Sequence, residues 1–198
     1  MSNGKNVKAI IIDLDRTIAN LKTNWVFVRS EMADFCSKKG VKASFAYPEP
    51  IYETARAVSK NKKFYADLLG IIKKEELKSA KRAELMSGAK DFLEFLHTNA
   101  IPFAILSNNN SQCVAEIFKR FKLPGPKMII GSDNVEHLKP HPEGLNKILK
   151  KMKIKNTQCL LIGDSDAESQ LGRIKGVKTY LIPGRKIKNL SQLKSILI

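Results

Sequence analysis

Cysteine is scarce in this 198-residue chain, and the three present, Cys36, Cys113 and Cys159, form no CxxC pair and no Cys/His cluster. That excludes a disulfide framework and a structural zinc site of the usual spacing, and fits reduced, buried thiols of a cytosolic protein. No apolar run approaches the ~18 residues of a membrane-spanning helix. Met1-Ser-Asn-Gly-Lys-Asn has no apolar h-region, so a soluble, cytoplasmic protein with no membrane partner is expected. Repeats and low-complexity tracts are absent too. Acids are few: 19 Asp/Glu against 35 Lys/Arg give a formal charge of +16, and none follows Glu168. The excess is spread widely, since residues 18–88 alone carry 14 Lys/Arg against 8 Asp/Glu. Lys outnumbers Arg and aromatics are not interleaved with the basic runs, so neither base stacking nor bidentate base readout is signalled. A phosphorylated ligand or a nucleic acid suits such a field, and so does a Lys-rich solvated surface.

What is present is a core. At 43% hydrophobic residues the chain can bury one domain, or one core with a sizeable insertion. Val7-Lys-Ala-Ile-Ile-Ile-Asp13-Leu-Asp15-Arg-Thr17 reads as a buried strand that delivers two carboxylates and a hydroxyl into a turn. Apolar runs at 101–107, 127–131, 158–163 and 177–182 read as further strands. Apolar spacings of three and four predict helices over 89–98, 111–121 and 142–152. This alternation predicts an α/β fold with a doubly wound parallel sheet covered on both faces. Residues 18–88 interrupt it with no convincing strand. Four helices are expected there, the last two separated at Gly70. The predicted organisation is an α/β core from 1–18 and 88–198 with a small helical domain, 19–87, inserted after the first strand.

The chemistry falls at strand ends, where open parallel sheets bind ligands. Asp13 and Asp15 close the first strand, Ser107 the second and Asp164 the fourth; Lys139 lies in a loop before a helix. Two buried carboxylates side by side raise the pKa of at least one. A divalent cation offsets the repulsion, and one carboxylate can attack while its neighbour carries a proton. Each feature has a structural reading as well. Ser107-Asn-Asn-Asn can be a turn and helix cap, and Ser165 with Glu168 a capping box. The ordered set is harder to obtain by accident.

In that order the residues resemble the haloacid dehalogenase (HAD) superfamily, and within it the phosphatases with a helical type-1 cap. The first motif there, D-x-D-x-T, is matched by Asp13-Leu-Asp15-Arg-Thr17, the second by Ser107-Asn108, the third by Lys139-Pro140, and the fourth by Gly163-Asp164 with Asp166 and Glu168 following. Arg16 replaces the usual glycine, and Glu168 stands where an aspartate is usual. The resemblance implies a Rossmann-like core and a Mg2+-dependent phosphoric monoester hydrolase working through an aspartyl phosphate. Asp13 would be the nucleophile and Asp15 the general acid/base. Ser107 and Lys139 would hold phosphate oxygens, with Thr17 and Asn108 as further phosphate contacts. Asp13, the Asp15 main-chain carbonyl and Asp164 would bind Mg2+, with Glu168 behind them. Asp15 favours phosphoester over carbon–halogen cleavage, because only an alkoxide leaving group needs a proton.

A cap of this size implies a small phosphorylated metabolite, such as a phosphoglycolate-like acid, a sugar phosphate or a nucleotide. Trp25 and Arg29 could stack on such a substrate and meet its charge, or Trp25 could pack within the cap. A phosphosugar mutase would use the same aspartyl phosphate. A polynucleotide phosphatase or a nucleic-acid-binding protein would use the charge. A monomer is the default expectation.

Overall fold

The computed structural model describes residues 7–184 and 187–197. Met1–Asn6, where the sequence shows no apolar h-region, lies outside the described residues. The chain starts with β1 (Ala9–Ile12), an unbroken aliphatic strand with every side chain fully buried. It turns into a two-residue strand, β2 (Ala19–Asn20), then enters α1 (Trp25–Lys38), α2 (Ile51–Val58) and α3 (Lys62–Ala80). It returns through β3 (Glu84–Leu85), antiparallel to β2, and settles into alternation. The series runs α4 (Ala89–Thr98), β4 (Phe103–Leu106), α5 (Ser111–Arg120), β5 (Met128–Ile130), α6 (Glu143–Met152), β6 (Cys159–Gly163), α7 (Asp166–Lys175) and β7 (Lys178–Leu181), with a short α8 (Lys194–Leu197) at the end.

Strands β5, β4, β1, β6 and β7 form one parallel sheet in that order. The central strands are aliphatic on both faces because helices cover both, which is why their sequences show no alternation. On one face Ile11, Ala104 and Leu161 meet Leu145 and Ile148 of α6 and Leu171 of α7. Among the described residues no helix is long and apolar enough to cross a membrane.

The chain divides into two compact units, Met1–Leu21 with Ala83–Ile198, and Lys22–Arg82. The helical unit has its own core. Val28, Met32 and Cys36 recur every fourth residue on α1, and Phe64, Leu68 and Ile72 do so on α3, so each set forms one stripe. Two sequence expectations fail in this region. The β2–β3 ribbon lies inside the stretch read as free of strands, and α3 runs unbroken through Gly70 instead of splitting there. A helical Gly costs about 1 kcal/mol relative to Ala. Burial of Phe64, Leu68 and Ile72 on either side of it outweighs that.

The turn after β1 is tight. Ile18 and Ala19 both donate their N–H to the Leu14 carbonyl, and Arg16 N–H donates to the Ala19 carbonyl at 2.8 Å. This folds Arg16 into the left-handed region at φ 56°, where a Cβ is disfavoured. The residue that departs from the glycine of the first motif is therefore strained by its own side chain. Arg16→Gly should raise stability by about 1 kcal/mol, or roughly 2–4 °C in Tm, read by thermal and urea melts. An unchanged midpoint would mean that the lost Arg16 charge beside Asp15 and Asp164 offsets the relief.

Candidate active site

Strand order reverses at β1, with β4 on one side and β6 on the other, and the crevice beyond their carboxyl ends is where such sheets hold ligands. Asp13 N–H donates to the Ile162 carbonyl at 2.9 Å, extending the ladder one residue past β1. Ser107 N–H donates to the Ile130 carbonyl in the same way at the end of β4. Asp164 directly follows β6. The backbone of the sheet thus delivers Asp13, Ser107 and Asp164 to one edge.

Lys139 completes the centre. Its ammonium lies 2.6 Å from Asp13 Oδ1 and 2.5 Å from Glu168 Oε1, and all three side chains are buried. The other oxygen of Glu168 accepts from Ser165 Oγ at 2.6 Å and from Ser165 N at 3.1 Å. Glu168 therefore closes the capping box of α7 and pairs with the lysine at once. Gly163 makes room for it: a Cβ there would lie 2.2 Å from Glu168 Cγ. Asp166, by contrast, is exposed at the start of α7. Of the two acids after Asp164, Glu168 is the one that faces the cluster.

Two carboxylates share one ammonium, and the electrostatics follow. Burial, joined by the Glu168 charge, pushes Asp13 up to about 6 despite the pull of Lys139. Glu168 is also penalised by burial, but Lys139 and the Ser165 hydrogen bonds bring it below the usual carboxylate range. Lys139 loses to burial and gains more from Asp13 and Glu168, so its pKa rises. Burial and Glu168 raise Asp164, and burial raises Asp15.

The other expected residues lie around this centre or in the turn after β1. Asn108 grips the Lys139 main chain with both ends of its amide: Oδ1 accepts from Lys139 N at 2.9 Å and Nδ2 donates to Lys139 O at 3.2 Å. Its side chain holds the lysine loop. Glu143 steadies the same loop by accepting from Glu136 N and His137 N, each at 3.0 Å. Thr17, expected at the phosphate, is fully buried, and its hydroxyl has no hydrogen-bond partner among the described residues. Asp15 Oδ1 accepts from Leu21 N at 3.0 Å and is half-buried. The Ser107 hydroxyl is buried against Asn109, donating to Oδ1 and accepting from the Asn109 N–H. In the helical unit Trp25 packs on the core, while Arg29 donates to the Phe45 and Ala46 carbonyls and stacks 4.0 Å over Tyr47.

Residues 10–182 match the haloacid dehalogenase-like hydrolase family. The chain belongs to that family. Among curated relatives, a phosphoglycolate phosphatase of Aliivibrio fischeri is 31% identical over 101 residues, half of this chain and 44% of that one. The pyrophosphatase PpaX of Anoxybacillus flavithermus is 30% identical over 122 residues, covering 54% of this chain and 57% of its own. The chain thus spans about half the length of the curated relatives it matches. A subfamily IA haloacid dehalogenase hydrolase from Geobacter sulfurreducens shares the fold with TM-score 0.67, at 17% identity and essentially full coverage, 100% of this chain and 99% of that one.

The donor set suits a hard cation. Carboxylate oxygens of Asp13, Asp164 and Glu168 lie within 4.8 Å of one another, all-oxygen ligands of the kind Mg2+ prefers. A cation held there would compete with the proton for Asp13. Its carboxyl is raised to about 6 and must be ionised to bind metal, so Mg2+ affinity should fall as pH drops through about 6. Calorimetry in buffers of different ionisation enthalpy should record proton release on Mg2+ binding at pH 6 and little at pH 7.5. Equal affinity at both values would remove Asp13 from the ligand set.

Sequence reading missed Asn109, the room that Gly163 leaves for Glu168, and the grip of Asn108 on the Lys139 main chain. The run Asn108-Asn109-Asn110 after a strand was the available signal. It read as a generic cap, and only Asn110 caps α5.

Proposed function

We propose that this protein is a Mg2+-dependent phosphatase for a small phosphorylated metabolite, working through a phosphoenzyme on Asp13. The observation that carries the reading is Asp13 held at a sheet edge against Lys139, beside Asp164 and Glu168, with Asp15 two residues on. An Asp13 oxygen attacks phosphorus and the bond to the substrate oxygen breaks. Asp15, whose burial favours the protonated form, gives that oxygen its proton. It then takes one from the water that cleaves the aspartyl phosphate. Lys139 and the Ser107 hydroxyl hold the non-transferring oxygens, and Asn108 positions Lys139 from behind. Bound at Asp13, Asp164 and the Asp15 carbonyl, with Glu168 adjacent, Mg2+ supplies charge neutralisation of the acids and of the phosphoryl group. The named activities of the relatives, on phosphoglycolate and pyrophosphate, support a small substrate.

The test is phosphate release from a panel of phosphoglycolate, sugar phosphates, nucleotides, pyrophosphate and p-nitrophenyl phosphate, with Mg2+ or with EDTA. Metal-dependent release with a clear ranking is expected. Transfer between sugar hydroxyls without net release would assign a mutase instead, and silence on every ester with Mg2+ bound would reject the phosphatase.

A further inference from the structure

The two edges of the sheet carry opposite charge. At the carboxyl edge, the turns at 13–18, 107–111, 131–143 and 163–168 hold eight Asp/Glu and only two bases, Arg16 and Lys139. Every helix of the alternating series runs back antiparallel to the strands, so the helix ends and strand starts share the other edge. The lead into β1 there contributes Lys8. The α5–β5 passage contributes Lys119, Arg120, Lys122 and Lys127, and the α6–β6 passage Lys150, Lys151, Lys153 and Lys155. The α7–β7 passage adds Arg173, Lys175 and Lys178. That makes twelve bases and no Asp or Glu in 7–8, 97–103, 119–128, 150–159 and 173–178. All but Lys175 are exposed.

Helix dipoles account for part of this. Six of the twelve sit in the last turns of α5, α6 and α7, where a cation is favourable. Of the other six, Lys153 is the C-cap of α6 and Lys122 follows the C-cap of α5, within reach of the same dipoles, while Lys8, Lys127, Lys155 and Lys178 lie beyond them. The ion pairs Lys147–Glu143 and Lys90–Glu94 lie off this edge.

We propose that the amino-terminal edge of the sheet is a docking face for the phosphate backbone of a nucleic acid, bound without regard to sequence. Five strands ~4.8 Å apart make an edge on the order of 20 Å across, along which a duplex presents a phosphate every ~1.7 Å. Ten of the twelve bases are lysine, which meets phosphate as a point charge, and the aromatic ring beside them, Phe121, is half-buried under Arg120 rather than open to stack on bases. Among the described residues the large exposed apolar side chain of this edge is Ile174 alone, too little to anchor a membrane surface. The face stands apart from the catalytic edge, and the proposal does not depend on the phosphatase reading.

Fluorescence anisotropy of the full chain against a 20-mer RNA and a 20-mer DNA duplex, across a salt series, tests it. Binding at 50 mM salt is expected. K150E/K151E/K153E/K155E should weaken it more than tenfold and flatten the log–log salt slope by about 3. A control with the same charge change on the helical unit, K38E/K39E/K62E/K74E, should change it far less, with circular dichroism melts confirming that both fold. If the fourfold variant does not fold, K153E/K155E, outside α6, serves, with a slope flatter by about 1.5. Equal weakening by the control would reduce the face to a diffuse field. Absence of binding at 50 mM salt, or tighter retention on phosphatidylserine vesicles than on either nucleic acid, would also overturn the proposal.

Discussion

Asp13→Asn is expected to abolish phosphate release, by at least ~10³-fold, while leaving the protein folded and no less stable. The two halves of this result have one cause. The amide is the same shape as the carboxylate and can still accept from Lys139, but it cannot form the phosphoenzyme. It also removes one of two buried carboxylates that compete for a single ammonium, a carboxylate already raised to about 6 by its surroundings. Release assays with Mg2+ beside a thermal melt in EDTA measure both. Residual release near wild-type level would transfer the nucleophile's role elsewhere. A sharp fall in Tm would mean that the Asp13 charge holds the turn after β1 together.

Lys139→Met should produce the opposite pattern, a large loss of stability in metal-free protein. Removing the ammonium leaves Asp13 and Glu168 buried together without a countercharge, a change that costs about 3–5 kcal/mol. For a chain of this length that lowers Tm by roughly 10 °C or more. Two conditions should restore part of it. Millimolar Mg2+ supplies the missing positive charge to the same oxygens. Acid does so as well: Asp13 titrates above its unfolded value, so the folded state binds the extra proton and gains stability as pH falls towards 5. Chemical denaturation in EDTA, in Mg2+ and at pH 5 reads all three. If the variant is as stable as wild type in EDTA at neutral pH, the buried cluster contributes nothing to the fold. Phosphate release should be lost in every condition.

The elements were largely legible, because the relevant forces are local. An aliphatic run without alternation, such as Ala9–Ile12, has no stable home except a strand covered on both faces. The predicted helix over 89–98 coincides with α4, since its apolar positions and its bounding residues agree. Legibility failed where a long-range term outweighed a local one. Gly70 signals a break, yet the apolar stripe of α3 passes on either side of it and continues the helix. The two-residue strands β2 and β3 have no pattern of their own and exist only by pairing with each other.

The site divides the same way. Sequence by itself determined which side chains arrive at the carboxyl edge, because a strand's end fixes the residue that follows it: Asp13 after β1, Ser107 after β4, Asp164 after β6. It could not determine what those side chains touch. Lys139 reaches Asp13 across 126 positions of sequence, and it does so because Asn108 clamps its main chain and Glu143 ties down the loop before it. Glu168 joins the pair through the space left by Gly163, and the turn after β1 leaves Thr17 fully buried. These outcomes depend on distance and burial between separated segments, quantities that no residue carries in its own sequence neighbourhood and that only the packed sheet supplies.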